Sequence, residues 1–289
     1  MQQLAARKLR IGCQTPAITM GFSRSAGGTI GTNEEFAMLT SIRGLGAATI
    51  LGLSVVAAPA FAQDESAAAT GGLSVSGSVT LVSDYRFRGV SLSGGDPAIQ
   101  GGLTVTSDTG FYVGTWASSI DDGGTDVFGD VEVDLVGGWS GAVSEGIGLD
   151  VGLLYYAYPS NGAGIDAEYF EPYATVSGDL GPVSAKFGVN YAWDQKGLAD
   201  DNLYLHTELS SAIPTTPLTL SAHLGYTDGS LAPTLLAGTG DDSAFDWSVG
   251  ASATVLGSLT LGVSYVGVEG PSIDGLTDDA VVVSLGASF

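Results

Sequence analysis

The feature that most constrains this chain is a period-two alternation of apolar and polar residues, which recurs along most of its length. It is clearest in Asp279–Phe289, where apolar residues occupy every second position from Val281 to Phe289 and mostly small or polar residues lie between them. Because successive side chains of a β-strand point to opposite sides, this pattern predicts a strand with one apolar face.

The last residue of this alternation is aromatic, and this residue, Phe289, favours a particular class of strand. In outer-membrane barrels, a final strand with alternate apolar residues and a terminal Phe resembles the signal that the barrel-assembly machinery reads. We therefore assign Phe289 as an assembly signal. The alternative is the last strand of a soluble β-sandwich.

The amino-terminal segment predicts export. Residues 38–43 carry a basic residue, residues 45–58 are apolar and small, and Ala60-Phe61-Ala62 follows, which together are typical of a Sec-type signal peptide over residues 38–62, cleaved near Ala62. The apolar run is shorter than the ~20 residues of a spanning helix. Residues 1–37 are interpreted as an upstream extension from an early start codon, or alternatively as a long first part of the signal. Residues 63–289 are predicted to form a single domain.

The charge balance excludes one class of partner. The chain has 31 acidic residues against nine basic ones, and after residue 62 the only basic residues are Arg86, Arg88, Lys186 and Lys196. A chain so poor in Lys and Arg cannot neutralise phosphates, so nucleic acid is not expected as a partner. The single cysteine, Cys13, lies upstream, so disulfides are not expected in the domain either.

The alternation predicts about twelve strands. They cover Leu73–Arg88, Ala98–Thr106, Phe111–Ser119, Asp130–Ser140, Ile147–Tyr158, Ala167–Gly178, Val183–Trp193, Asn202–Ser211, Leu218–Thr227, Phe245–Val255, Leu259–Val268 and Asp279–Phe289. Pro172 lies within one of them and predicts a bulge or a gap in the hydrogen-bond ladder. Short turns and long acidic loops alternate between the strands, which is the outer-membrane barrel pattern. The fold class is therefore an all-β, transmembrane, antiparallel up-and-down β-barrel.

Aromatic residues support the membrane assignment, because they cluster at predicted strand ends on the apolar face, as in the two interfacial girdles of a membrane barrel. Next to the long loops lie Tyr85, Phe87, Tyr155, Tyr191, Trp193, Tyr226, Phe245, Trp247 and Tyr265, and next to the short turns lie Phe111, Trp139 and Phe289.

The opposite face of the strands holds the candidate functional residues. Charges in the hydrocarbon region must face water or each other, so we predict that the pore is lined by Asp84, Arg86, Arg88, Glu132, Asp134, Asp150, Glu171, Lys186, His206, Glu208 and Asp246. One interpretation is a constriction in which Arg86 and Arg88 oppose acids across the pore, with the surplus of acids favouring cations. The other is a salt-bridged plug in a barrel that does not conduct.

Other inward residues are interpreted more simply. Tyr156, Tyr158, Tyr169 and Tyr173 are predicted to fill the lumen, the alternative being a track for ring-bearing solutes. His206 and His223 are the only histidines, and although His206 shares a face with Glu208 as an acid–base pair would, no nucleophile motif accompanies them. The sequence therefore predicts no catalytic, cofactor or metal site and no enzyme.

Three segments carry a family resemblance. Residues 83–90 (SDYRFRGV), 96–102 (DPAIQGG) and 110–118 (GFYVGTWAS) are similar to segments that recur in the TorF family of proteobacterial porins. The resemblance extends to Phe289 and implies an outer-membrane barrel more firmly than it implies a substrate.

These observations predict an outer-membrane channel for passive diffusion of small hydrophilic solutes or ions. Its other partners would be the assembly machinery, outer-membrane lipids, and lipopolysaccharide bridged through divalent ions to the acidic loops. The alternatives are a non-conducting barrel with an adhesive or structural role, and a soluble periplasmic β-sandwich. The sequence carries no clear interface signal, so the oligomeric state stays open.

Overall fold

The computed structural model describes residues 72–121, 123, 127–164 and 166–289. The predicted upstream extension, the signal peptide and residues 63–71 lie outside the described residues. In chain order the described elements are β1 (Leu73–Val82), β2 (Arg86–Phe87), β3 (Val90–Ser91), β4 (Ala98–Ser107), β5 (Phe111–Ser119), β6 (Val131–Ser144), β7 (Ile147–Ala157), β8 (Tyr169–Leu180), β9 (Val183–Ala192), β10 (Asn202–Ala212), β11 (Leu218–Gly229), α1 (Pro233–Leu236), β12 (Ser243–Val255), β13 (Leu259–Val268) and β14 (Ala280–Ser288).

Twelve of these strands close into one antiparallel barrel. Each of β4 to β14 pairs with its neighbours in sequence order, while β1 pairs with β4 on one side and with β14 on the other. The closed ladder leaves no free edge, so the strand backbone is hydrogen-bonded within the chain. The predicted fold class is confirmed, and β2 and β3 form a separate two-stranded sheet. Within the described part of the chain, no helix is long and apolar enough to cross a membrane.

The two faces of the barrel differ in chemistry. Large apolar side chains cover the outside, among them Phe111 and Val281, which are 65% and 62% exposed. Most charged side chains of the strands are buried on the inside. In β5, Tyr112 and Trp116 are buried and Val113 is exposed. An apolar outer band around a polar interior is the arrangement of a membrane-spanning barrel.

The connections alternate in length as predicted. Short turns join β4 to β5, β6 to β7, β8 to β9, β10 to β11 and β12 to β13, and long loops make the other connections. The first residue of β1 and the last residue of β14 therefore lie at the short-turn end.

The lumen is not uniform along the barrel axis. Near the short turns many inward side chains are small and partly accessible: Ser74, Ser76, Thr104, Thr106, Ser184, Ser210, Thr219, Ser221, Thr254, Thr260 and Gly286. Buried inward residues at this end are Tyr112, Asp150, Thr175 and Ser252. Near the long loops the inward side chains are large and almost fully buried, as Glu132, Tyr156 and Tyr204 show. The half of the lumen next to the short turns is therefore the more open to solvent, and the half next to the long loops is filled.

The end of the chain forms part of the seam that closes the barrel. The backbone N–H of Phe289 donates to the carbonyl of Gly77 at 3.0 Å, and the N–H of Gly77 donates back at 2.9 Å. The Phe289 ring lies over Gly77 so closely that a Cβ there would come within 2.6 Å of ring atom Cζ. The last residue thus contributes two ladder hydrogen bonds and a ring contact.

Deleting Phe289 is expected to lower the amount of assembled barrel in the outer membrane more than it lowers export, because the seam loses both backbone bonds. Heat-dependent gel mobility of outer-membrane fractions measures assembly, and periplasmic and membrane immunoblots measure export. Phe289→Ala is the matched control, since it keeps the backbone bonds and removes only the ring. Normal outer-membrane levels of the deletion variant would contradict the assigned role.

Candidate functional site: the charge network in the lumen

The long loop between β1 and β4 folds into the barrel, which corrects the sequence interpretation of this segment. Strand β1 ends at Val82 rather than at Arg88. Tyr85 is only 1% exposed, and Phe87 packs against the buried core of the lumen, so neither belongs to the outer aromatic girdle. Arg86 and Arg88 therefore project from an inserted hairpin and not from a barrel strand.

The hairpin formed by β2 and β3 turns at Arg88 and Gly89. Phe87 pairs with Val90 across the turn, and the two central residues have φ angles of 48° and 79°. Positive φ at both central positions is the requirement of a type I′ hairpin turn. The sequence hid this hairpin because an inserted β-strand and a barrel strand share the same period of two.

Arg86 fastens the base of the hairpin. Its Nε donates to Asp84 Oδ2 at 2.5 Å, and its two terminal nitrogens donate to the carbonyl and the carboxylate of Asp278 at 2.7 and 3.2 Å. Asp84 Oδ1 in turn accepts hydrogen bonds from Ser91 and Ser93 at 2.7 and 3.3 Å. The loop that precedes β14 and the loop that follows β1 are thereby linked inside the barrel.

Arg88 connects the tip of the hairpin to β8, across the lumen from β1 and β4. Its Nη2 donates to both carboxylate oxygens of Glu171 on β8, at 2.6 and 2.8 Å. The guanidinium lies 4.2 Å from the ring centroid of Tyr204. Glu171 also accepts hydrogen bonds from Tyr156 at 3.1 Å and from Asn190 at 3.0 Å. Both side chains are buried, and Arg88 Nη1 has no hydrogen-bond partner among the described residues. Removing one partner of such a buried ion pair is costly, because the other charge is left uncompensated.

The acids on β6 lie beside this pair. The hydroxyl of Tyr85 donates to Glu132 at 2.8 Å, and that of Tyr158 approaches the other oxygen at 3.5 Å. Asp134 is buried nearby, and its Oδ1 has no hydrogen-bond partner among the described residues. The tyrosines predicted to fill the lumen therefore also solvate its buried carboxylates.

A second cluster lies on β9 to β12. Lys186 Nζ is 3.3 Å from Glu208, and His206 Nδ1 is 3.6 Å from the other Glu208 oxygen. On the adjacent strands His223 Nε2 lies 3.0 Å from Asp246 Oδ1. This cluster adjoins the Arg88 pair through Tyr204, whose hydroxyl is 2.9 Å from His223 Nε2.

The remaining predicted residue, Asp150, lies apart and nearer the short turns. It accepts a hydrogen bond from Tyr112 at 2.7 Å and another from Tyr173 at 3.4 Å, and the two tyrosine hydroxyls contact each other. The structure thus places all eleven predicted pore-lining residues on the inner side of the barrel.

Sequence reasoning missed several members of the network. Asn190 and Tyr204 lie on the inward face of predicted strands, so the alternation that identified Lys186 and His206 could also have identified them. Asp278, Ser91 and Ser93 lie in loops, and nothing in the sequence pattern indicates that they contact Asp84 or Arg86.

Comparison with known proteins gives a family and a fold. A family model described as a bacterial protein of unknown function (Gcw_chp) matches residues 66–289. No curated protein sequence gives a significant match. The TorF resemblance stays a prediction.

Among solved structures, the NanC porin aligns with a TM-score of 0.50 at 11% identity over 75% of this chain and 99% of that chain. The KdgM porin in complex with disordered oligogalacturonate aligns at 0.49 and 8% identity, over 74% of this chain and 97% of that one. An outer membrane channel from Pseudomonas putida F1 aligns at 0.45 and 12% identity, over 74% and 94%. At such identities the likeness concerns the barrel fold.

Replacing Arg88 by Ala is expected to lower the free energy of unfolding by about 3–5 kcal/mol, because Glu171 is left buried without its partner. Guanidinium unfolding in detergent micelles, followed by tryptophan fluorescence, measures the change. Lys196→Ala is the matched control: its pair with Asp166 is exposed, with side chains 86% and 66% accessible, so the change there should be below about 1 kcal/mol. Equal effects of the two substitutions would contradict the role of the buried pair.

Proposed function

The chain belongs to the Gcw_chp family of bacterial proteins of unknown function, and we propose that it is an outer-membrane channel for passive diffusion of small hydrophilic solutes. The observation that carries the proposal is the division of the lumen into an open half, lined by small polar side chains, and a narrow half crossed by the inserted hairpin. The barrel fold shared with the NanC porin and the sequence resemblance to the TorF family support the same conclusion.

The open half argues for water in the lumen. A barrel that served only as a membrane anchor could fill its interior with apolar side chains, as eight-stranded barrels can, whereas sixteen strands enclose an aqueous channel. Here twelve strands enclose inward Ser and Thr residues such as Ser76, Thr104 and Ser221, which remain partly accessible. Their hydroxyls can form hydrogen bonds with a polar solute without selecting a particular solute by its shape.

The filled half of the lumen determines the size and charge of the solutes that can pass through the barrel. The inserted hairpin and the residues that bind it narrow the barrel next to the long loops, so the permeant solutes are small. Seven lumenal acids face only three basic side chains, which favours cations. The basic residues are Arg86, Arg88 and Lys186, and the acids are Asp84, Glu132, Asp134, Asp150, Glu171, Glu208 and Asp246.

A second candidate function rests on the same filled half. If the buried pair of Arg88 and Glu171 and the buried Tyr85 seal the lumen permanently, the protein is a non-conducting barrel. Its acidic loops would then serve adhesion or envelope integrity, with divalent ions bridging them to lipopolysaccharide phosphates. Both candidates place the chain in the outer membrane after signal-peptide cleavage near Ala62 and insertion by the assembly machinery.

Single-channel recording across a planar bilayer separates the two candidates. Residues 63–289, refolded in detergent, are expected to give small discrete current steps, with a reversal potential under a salt gradient that favours cations. A variant in which residues 83–97 are replaced by a short Gly-Ser turn should give larger steps, because Val82 and Ala98 are already paired and the turn only removes the hairpin.

A variant lacking residues 161–164, a largely exposed segment of another long loop, is the matched control and should keep the original step size. Current steps with a reversal potential that favours anions would overturn the cation preference and assign the ion selectivity to Arg86 and Arg88. Silence from both the full barrel and the hairpin deletion, with heat-dependent gel mobility showing that each is folded, would overturn the channel.

A further inference from the structure

Three side chains in the lumen have the composition of a transition-metal site. His206 and Glu208 on β10 and His223 on β11 each offer one ligand atom, and these atoms lie within 4.8 Å of one another. We infer that they bind a divalent metal ion of the Zn²⁺ type. The sequence interpretation treated both histidines as polar lumen residues without a ligand.

Strand pairing explains why these residues meet. Glu208 on β10 lies directly opposite His223 on β11. His206 precedes Glu208 by two positions and therefore points to the same inner face. Directly opposed residues in an antiparallel pair have Cβ atoms about 5 Å apart. The side chains of Glu208 and His223 are therefore close enough to reach the same ion.

The orientation of His206 directs one nitrogen to the proposed site. Its Nε2 packs against the backbone of β9, where a Cβ added to Gly188 would come within 2.1 Å of it. Its Nδ1 faces Glu208 at 3.6 Å and has no hydrogen-bond partner, although the side chain is only 8% exposed. A buried polar atom without a partner costs about 1–3 kcal/mol, and an ion bound by Nδ1 would remove that cost.

His223 is held in place by a carboxylate, as metal-binding imidazoles usually are. Its Nε2 lies 3.0 Å from Asp246 Oδ1 and 2.9 Å from the Tyr204 hydroxyl. A carboxylate on one ring nitrogen fixes the tautomer and orientation of the ring and makes the other nitrogen a better ligand. Asp246 is itself buried, and its Oδ2 has no hydrogen-bond partner in the described part of the chain.

Glu208 supplies the charge and the route to solvent. Lys186 contacts one carboxylate oxygen at 3.3 Å, while the other faces His206. The side chains of Glu208 and Lys186 are about 30% exposed, so an ion can reach the site from the open half of the lumen. Two imidazoles and one carboxylate leave a coordination position for water and are typical of Zn²⁺, whereas Ca²⁺ and Mg²⁺ prefer oxygen ligands alone.

Isothermal titration of refolded residues 63–289 with ZnCl₂ tests the site and does not depend on conduction. One ion per chain is expected, with MgCl₂ unable to compete. His206→Ala and His223→Ala should abolish the binding, and Asp246→Asn should weaken it about 10- to 100-fold, since that carboxylate acts on the ligand and not on the metal. Asp150→Asn, a lumenal acid away from the cluster, is the matched control and should bind as the original protein does.

Heat-dependent gel mobility shows that each variant is folded before titration. No binding by the original barrel, or the same affinity in both histidine variants, would overturn the site. If the barrel binds Zn²⁺ but neither it nor its hairpin-deletion variant passes current, this site is kept and the proposed channel is overturned, so the two proposals fail separately.

Discussion

The structure depends on one constraint, which is that a strand in hydrocarbon must find all its backbone hydrogen bonds inside the chain. The closed ladder of twelve strands meets it, and the pairing of β14 with β1 completes the circle. Once the strands are closed, the alternation of side chains leaves only two environments, an apolar outside and an enclosed inside. A strand charge at the depth of the hydrocarbon is therefore forced into the lumen, where it must be hydrated or paired.

The inserted hairpin follows from that enclosure of charge. Seven acids in a narrow lumen repel one another, and the barrel wall supplies only Lys186 to offset them. The loop after β1 brings two arginines into the lumen, and the ion pair of Arg88 with Glu171 connects the hairpin tip to β8. Arg88 adopts a left-handed backbone angle that a side chain disfavours, and its two hydrogen bonds and the contact with Tyr204 offset that cost. Tyrosine hydroxyls then donate hydrogen bonds to Glu132, Asp150 and Asp246, with which neither arginine forms an ion pair.

Much of this fold follows from the alternation alone, and the exceptions have physical causes. Strand bounds from β4 to β14 fall within a few residues of those predicted, and the inner faces carry the predicted charges. Pro172 interrupts a ladder as expected: pairing of β8 with β9 begins only at Tyr173, and the side chain of Gln195 bonds the backbone N–H and carbonyl of Phe170 in place of a strand.

The hairpin was not predictable, because its residues continue the same alternation after β1 has ended. The contact that links the hairpin tip to the barrel wall is tertiary, because Arg88 pairs with a residue 83 positions away, and no local pattern encodes it. The same limit applied to the histidine cluster. The sequence placed His206 and Glu208 on one face, but the register that sets His223 opposite Glu208 is a property of the assembled sheet.

Enclosure of the hairpin in the lumen can be measured as the rate at which a thiol inside the hairpin reacts with a maleimide–polyethylene glycol reagent. Residues 63–289 contain no cysteine, so Val90→Cys introduces a single site, and Val90 is only 3% exposed. Leu236→Cys, 51% exposed at the long-loop end, gives the reference rate. We expect slow labelling of position 90 in the folded barrel and fast labelling when Arg88→Ala is added. Equally fast labelling at positions 90 and 236 in the folded barrel would contradict a hairpin enclosed in the lumen.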